Sequence, residues 1–145
     1  MKTIDYSNLI LGRAASKTAK LLLKGETIVI VNAEKAVVRG TKKGILEKFL
    51  RRHGWKAKGN PLRHGPKISR MPDRLVRFAI QHMLPYRRAT GRQALERLTI
   101  FLGIPKKLEK ASIEKWDSIE NMEKKNFLTI AQISTAMGLQ KKRDN

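Results

Sequence analysis

An α/β fold with a largely parallel sheet is predicted by two features of the chain. Strand-like and helical segments alternate along its length. In addition, Thr27-Ile28-Val29-Ile30-Val31 is a β-branched run with almost no polar alternation, which suits a strand covered on both faces. No internal repeat competes with this reading. The 145 residues fit one domain, 1–145, within which a basic segment spans about 48–95 and a charged excursion about 106–126.

Taken in order, Thr3–Tyr6 is a short first strand. Gly12–Lys24 is a helix stopped by Gly25, with Gly12 at its start. At about 100° per residue, Arg13, Lys17, Lys20 and Lys24 share one face, with Ala15, Ala19 and Leu22 on the opposite one. The cationic face suits either solvent or a phosphate backbone. After the Thr27–Val31 strand, Asn32–Glu34 turns the chain, and Ala36–Arg39 is a weaker strand-like piece before Gly40. Thr41 is placed to cap a helix through Arg52, with Ile45, Leu46, Phe49 and Leu50 inward. His53–Met71 keeps no apolar period. Gly54, Gly59, Pro61, Gly65 and Pro66 punctuate it, so it is a long irregular segment of functional length.

Pro72 and Asp73 open the next helix, since proline is tolerated in a first turn and aspartate complements the dipole. Leu75, Val76, Phe78, Ala79, Ile80 and Met83 form its buried side, Arg74 and Arg77 its outer side, and Pro85 its stop. Thr90 and Gln93 have capping-box spacing before a short helix through Arg97. Leu98–Leu102 is a strand closed by Gly103 and Pro105. Residues 106–126 are a charged surface excursion with Trp116 isolated. Phe127–Thr129 is a candidate last strand, and Thr129 with Gln132 again has capping-box spacing before a helix carrying Ile130, Ile133 and Met137 inward. Gly138 stops it, ahead of a basic Lys141-Lys142-Arg143 tail.

Charge is the dominant functional signal. Lys and Arg total 32 against 12 Asp and Glu, a net charge of +20. Soluble domains of this size carry roughly 2 to 8 units, and a larger excess opposes compaction unless a polyanion neutralises it. The excess is concentrated: residues 48–95 hold thirteen basic residues and one acidic, Asp73. Arginine outnumbers lysine there nine to four. Its planar fork and stacking surface suit folded RNA, and interspersed glycine and proline let backbone amides approach phosphates. Trp55 and Tyr86 lie among these cations, where stacking on bases and ordinary packing are both open.

Other classes find little support. Absent cysteine removes disulfides, thiolate zinc sites and thiol nucleophiles. Met1–Asp5 lacks the apolar run of a secretion signal, and no stretch reaches the roughly 18 apolar residues of a membrane span, so a soluble intracellular protein is expected. No glycine-rich phosphate loop follows a strand. Asp73 has no paired carboxylate, and the spacing of His53, His64 and His82 matches no zinc motif. Ser7, Ser16, Ser69, Ser112 and Ser134 lack a nucleophile-elbow context. No catalytic residue, metal, cofactor or small-molecule substrate is therefore expected. The competing readings are an RNA-binding regulator or assembly factor and, more distantly, a small α/β enzyme.

Several blocks resemble one family. Asp5 with Leu11-Gly12-Arg13-Ala14-Ala15-Ser16, then Val29-Ile30-Val31-Asn32-Ala33-Glu34-Lys35 with Arg39-Gly40, is similar to the opening of large-subunit ribosomal protein thirteen. Gly65-Pro66, Arg70-Met71-Pro72 and Val76-Arg77 resemble its central basic block. Met83-Leu84-Pro85 leading to Gly91, Ala94-Leu95 and Leu98 resembles its most diagnostic stretch. Phe101-Leu102-Gly103-Ile104-Pro105 and Leu128-Thr129-Ile130 through Gly138 are similar to its archaeal and eukaryotic branch. The chain departs from the family pattern at His82, where glycine is usual, and is only loosely similar over His53–Leu62.

The resemblance implies a three-layer α/β/α fold around a four-stranded parallel sheet. It also implies a structural role in the cytoplasm, binding large-subunit rRNA during assembly and in the mature particle beside neighbouring ribosomal proteins. The RNA-contacting candidates are Arg13, Lys17 and Lys20 on the first helix, with Arg39, Lys42 and Lys43 beyond the second strand. Arg51, Arg52, His53, Lys56, Lys58, Arg63, His64, Lys67, Arg70, Arg74, Arg77, Arg87, Arg88 and Arg92 complete the set through the basic centre.

Overall fold

The computed structural model describes residues 1–55, 59–60, 63, 65–66, 68–108, 112–116 and 126–139. The candidates Lys56, Lys58, His64 and Lys67 and the Lys141–Arg143 tail lie outside the described residues. Among those described, the chain forms a three-layer α/β/α fold around a four-stranded parallel sheet.

Strand β1 (Lys2–Asp5) leads through α1 (Leu11–Leu23) to β2 (Ile28–Val31), which pairs parallel to it with Ile4 opposite Ile30. A 3₁₀ turn over Ala33–Lys35 and strand β3 (Val37–Arg39) follow, then α2 (Lys42–His53). Beyond the irregular segment come α3 (Pro72–Gln81), α4 (Ala89–Glu96) and β4 (Leu98–Ile100). The last elements are β5 (Ile113–Lys115), β6 (Phe127–Thr129) and α5 (Ile130–Ala136). The sheet order is β4-β2-β1-β5, and β3 pairs antiparallel with β6 as a separate ribbon.

Helix α1 shows why the sequence folds this way. Leu11, Ala14, Ala15, Thr18, Ala19 and Leu22 recur at three- and four-residue spacing and are buried, while Arg13, Lys17, Lys20 and Lys24 are exposed. Covering Leu22 alone contributes about 2 kcal/mol. The narrow alanine stripe lets the helix sit closely on the sheet. Thr18, the polar member, is satisfied by Tyr6, whose hydroxyl lies 2.6 Å from Oγ1. Gly25, at φ +94°, ends the helix, as expected. Thr41 Oγ1 caps α2 by accepting from the Gly44 N–H, and the Thr129–Gln132 capping box is formed in both directions at α5.

Four expectations need correction. The fourth strand of the sheet comes from the charged excursion: Ile113–Lys115 pairs with β1, whereas Ala36–Arg39 and Phe127–Thr129 pair with each other. Trp116 is accordingly not isolated but packs against the core. Phe78 and Met83 are 39% and 42% exposed and Leu50 is 45% exposed; the core-facing arcs of α3 and α2 are narrower than expected. Thr90 does not cap α4, because the preceding turn, closed by Arg88 N–H to Pro85 O at 2.9 Å, starts the helix two residues earlier with Arg88 at the cap. His82, the departure from the family pattern, sits in ordinary right-handed helical conformation at φ −70°, so no glycine is required there.

The carboxyl ends of β1 and β2 are joined by side chains. Asp5 Oδ1 accepts from the Ser7 N–H at 2.9 Å, from Ser7 Oγ at 2.7 Å and from Asn32 Nδ2 at 3.0 Å. Asn32 is buried in left-handed conformation at φ +54°, which asparagine tolerates better than most residues. Gly103 donates its N–H to the Glu34 carboxylate and accepts from the Asn32 N–H at 3.1 Å.

Burial alone would raise the Asp5 carboxyl. The Ser7 and Asn32 hydrogen bonds and the nearby Lys115 charge outweigh it and hold Asp5 below the usual carboxylate value. A depressed folded value contributes stability above the unfolded value near ~3.9, and this is lost as pH falls through the folded one. Urea unfolding between pH 6 and pH 2 is therefore expected to show acid destabilisation that Asp5→Asn makes shallower.

Candidate nucleic-acid interface

The candidate cations rest on different elements and are not all equally available. Arg13, Lys17 and Lys20 are exposed on α1. Lys17 is directed at Trp116, its Nζ 5.5 Å from the ring centroid. Arg39 is exposed at the end of β3, as are Lys42 and Lys43 in the first turn of α2 and Arg51 in its last. Arg63 is exposed, its backbone N–H held by Asn60 Oδ1 at 3.2 Å. Arg74, Arg87, Arg88 and Arg92 are exposed on α3, the following turn and α4. Among the described residues the single ion pair is Lys2–Glu26, at 2.9 Å, so none of these cations is neutralised by a described carboxylate.

Two concavities gather the candidates. A groove of about 550 Å³ between the starts of α1 and α2 brings Arg39 and Arg52 together with Lys48 over an apolar floor that includes Val38 and Phe49. A second, of about 460 Å³, follows α3 and places His82 and Tyr86 beside Arg87 and Arg88. Arg92 steadies this second rim by donating to the Arg87 carbonyl at 3.3 Å.

Other candidates are engaged within the fold. Arg77 donates to the Leu98 carbonyl at 3.0 Å and the Leu95 carbonyl at 3.2 Å, tying α3 to the end of α4 and the start of β4. Arg70 donates from Nε to His53 Nε2 at 3.0 Å, tying the irregular segment back to the end of α2. The Arg70 carbonyl accepts from the buried Ser134 hydroxyl of α5. Arg97, outside the candidate set, donates to Leu22 O at 3.1 Å and so satisfies a carbonyl in the last turn of α1. Arg77→Met is expected to cost about 2 kcal/mol in chemical denaturation through the loss of two charged hydrogen bonds, while leaving RNA affinity nearly unchanged in the same preparation.

Sequence reasoning missed Phe78 as a surface residue. The signal was present: on a helical projection Phe78 falls roughly 140° from the centre of the arc formed by Leu75, Val76 and Ile80, next to Arg74.

The site is thus an arginine-rich surface on a parallel α/β scaffold, with no cluster of His, Asp and Glu able to hold a metal among the described residues. No helix among them is long and apolar enough to cross a membrane. These features define a strongly basic α/β protein with an arginine-rich surface. The family model for Ribosomal protein L13 matches residues 1–107. Large ribosomal subunit protein uL13 of Methanocaldococcus jannaschii is 40% identical over 141 residues, covering 95% of this chain and 98% of that protein. The proteins of the same name from Archaeoglobus fulgidus and Picrophilus torridus are 38% and 39% identical, over 93% of this chain and 86% and 95% of their own lengths. The chain belongs to the ribosomal protein L13 family.

Proposed function

We propose that this chain is a structural constituent of the large ribosomal subunit, acting as one domain that binds and stabilises large-subunit rRNA during assembly and in the mature particle. The observation that carries this reading is the near full-length match to archaeal proteins named for that subunit. The exposed arginines without described carboxylate partners supply its physical rationale, since each phosphate neutralised releases condensed counterions.

In this reading Arg13, Lys20, Arg39, Lys42, Lys43, Arg51, Arg63, Arg74, Arg87, Arg88 and Arg92 face phosphate. The Lys56, Lys58, His64 and Lys67 side chains add to them from the basic segment. Arg70, His53 and Arg77 chiefly hold the scaffold that presents the others. Neighbouring ribosomal proteins are the other expected contacts, and the site of action is the cytoplasm. The role requires neither a cofactor nor a catalytic residue. Sucrose-gradient sedimentation of a cell extract tests it: the protein is expected to co-migrate with large subunits at low and moderate salt. Accumulation only in slowly sedimenting fractions would overturn the assignment and favour an assembly factor or regulator.

A further inference from the structure

We propose that the concavity after α3 is a pocket for one unpaired RNA base, with the His82 and Tyr86 rings as its stacking surfaces. The proposal rests on the RNA-binding reading above and adds to it a specific ligand, a single-stranded nucleotide.

The pocket's volume, about 460 Å³, lies within the range of about 300–1,000 Å³ typical of small-ligand sites. Leu84 and Pro85 give it apolar lining, and Gln81, a residue type that both donates and accepts, lines it as well. Arg87 and Arg88 are on the rim, placed for the phosphates that flank an inserted base.

The His82 ring is held in place, and so is the backbone that carries Tyr86. His82 Nδ1 lies 2.9 Å from the Phe78 carbonyl, which can only accept, so that nitrogen carries a proton. The imidazole also leans on the Phe78 ring, with centroids 4.0 Å apart and planes at 46°. Behind Tyr86 the backbone is equally fixed. Its N–H donates to Leu84 O at 2.7 Å, and the Pro85–Tyr86 peptide is seated against Gly91. The His82 ring, already held, loses little freedom when a base stacks on it.

Phosphate contact alone leaves these features unexplained. Phe78 and Tyr86 are 39% and 46% exposed amid arginines, where a purely electrostatic surface has no use for aromatic rings. Every base presents a π face, whereas in a duplex those faces are already stacked and the rings cannot reach them.

The test compares fluorescently labelled single-stranded heptanucleotides (A7, C7 and U7) with a blunt RNA duplex, titrated with the full chain and with His82→Ala, Tyr86→Ala and Tyr86→Phe. Thermal unfolding of each variant is recorded alongside. Each alanine is expected to weaken at least one heptanucleotide complex roughly 5- to 100-fold and the duplex complex by less than about twofold. The salt dependence should be unchanged, because neither alanine removes a cationic group bound to phosphate. Tyr86→Phe, which keeps the ring, is expected to stay close to wild type. Equal weakening of single strand and duplex, or no weakening of either, overturns the base pocket while leaving RNA binding intact. Failure of the wild-type chain to bind any RNA overturns the underlying reading instead.

Discussion

Gly91→Ala is expected to destabilise the protein by about 3 kcal/mol and to lower its thermal midpoint by roughly 10 °C. Helix propensity alone argues the other way, because alanine is better than glycine inside a helix by about 1 kcal/mol. Steric overlap decides the sign. A Cβ on Gly91 would stand 2.2 Å from the Pro85 carbonyl oxygen, 2.4 Å from its carbon and 2.8 Å from Tyr86 N. All three are backbone atoms, and the Pro85 carbonyl is further held by the Arg88 N–H, so the clash is relieved only by lifting the turn off α4. That movement also displaces Tyr86, Arg87 and Arg88, and RNA affinity should fall in parallel. Gly12→Ala is the control: a Cβ there meets nothing within 4 Å, and the change should be neutral or stabilising by up to about 1 kcal/mol. Differential scanning calorimetry of both variants gives the comparison, and a Gly91→Ala midpoint within a few degrees of wild type would refute the close-packing account.

Charge reversal at the second rim is the other large expected effect. Arg87→Glu combined with Arg88→Glu should raise the dissociation constant for large-subunit rRNA about 100-fold near 0.1 M salt. It should also reduce the steepness of the log–log salt plot by about 2 units, one for each phosphate no longer neutralised. The fold should survive, since neither guanidinium has a hydrogen-bond partner among the described residues; the bonds these two residues make, Arg88 N–H to Pro85 O and those to the Arg87 and Arg88 carbonyls from Arg92, use backbone groups that the substitutions keep. Filter binding at four salt concentrations separates the removal of a phosphate interaction, which changes the slope, from the removal of base stacking, which does not. An unchanged slope would place the interface elsewhere on the basic surface.

Local signals carried much of this fold into the sequence. The α1 stripe, the doubly covered β2 run and the Thr129–Gln132 box all depend on residues within one or two turns of each other. Strand β5 was hidden for the opposite reason. Ile113-Glu114-Lys115 is charged and largely exposed at the sheet edge, as edge strands often are, and its pairing with β1 joins residues more than a hundred positions apart. The arginines posed a different problem. Arg77 and Arg74 are three residues apart on one helix, yet one braces two carbonyls and the other is exposed. Composition shows how many guanidiniums there are, but only tertiary placement shows which have backbone acceptors nearby. The Thr90 cap failed because a turn made upstream had already set where the helix begins.

The knot of Asp5, Ser7 and Asn32 at the strand ends has a consequence for how this scaffold can be used. In open parallel sheets that rim is the ordinary berth for a substrate or cofactor. Here its polar groups answer one another, and the Glu34–Gly103 clasp closes the adjoining loop over them. Anyone grafting small-molecule chemistry onto this architecture would first have to undo that lock, beginning with Asn32, and supply new partners for each donor and acceptor released.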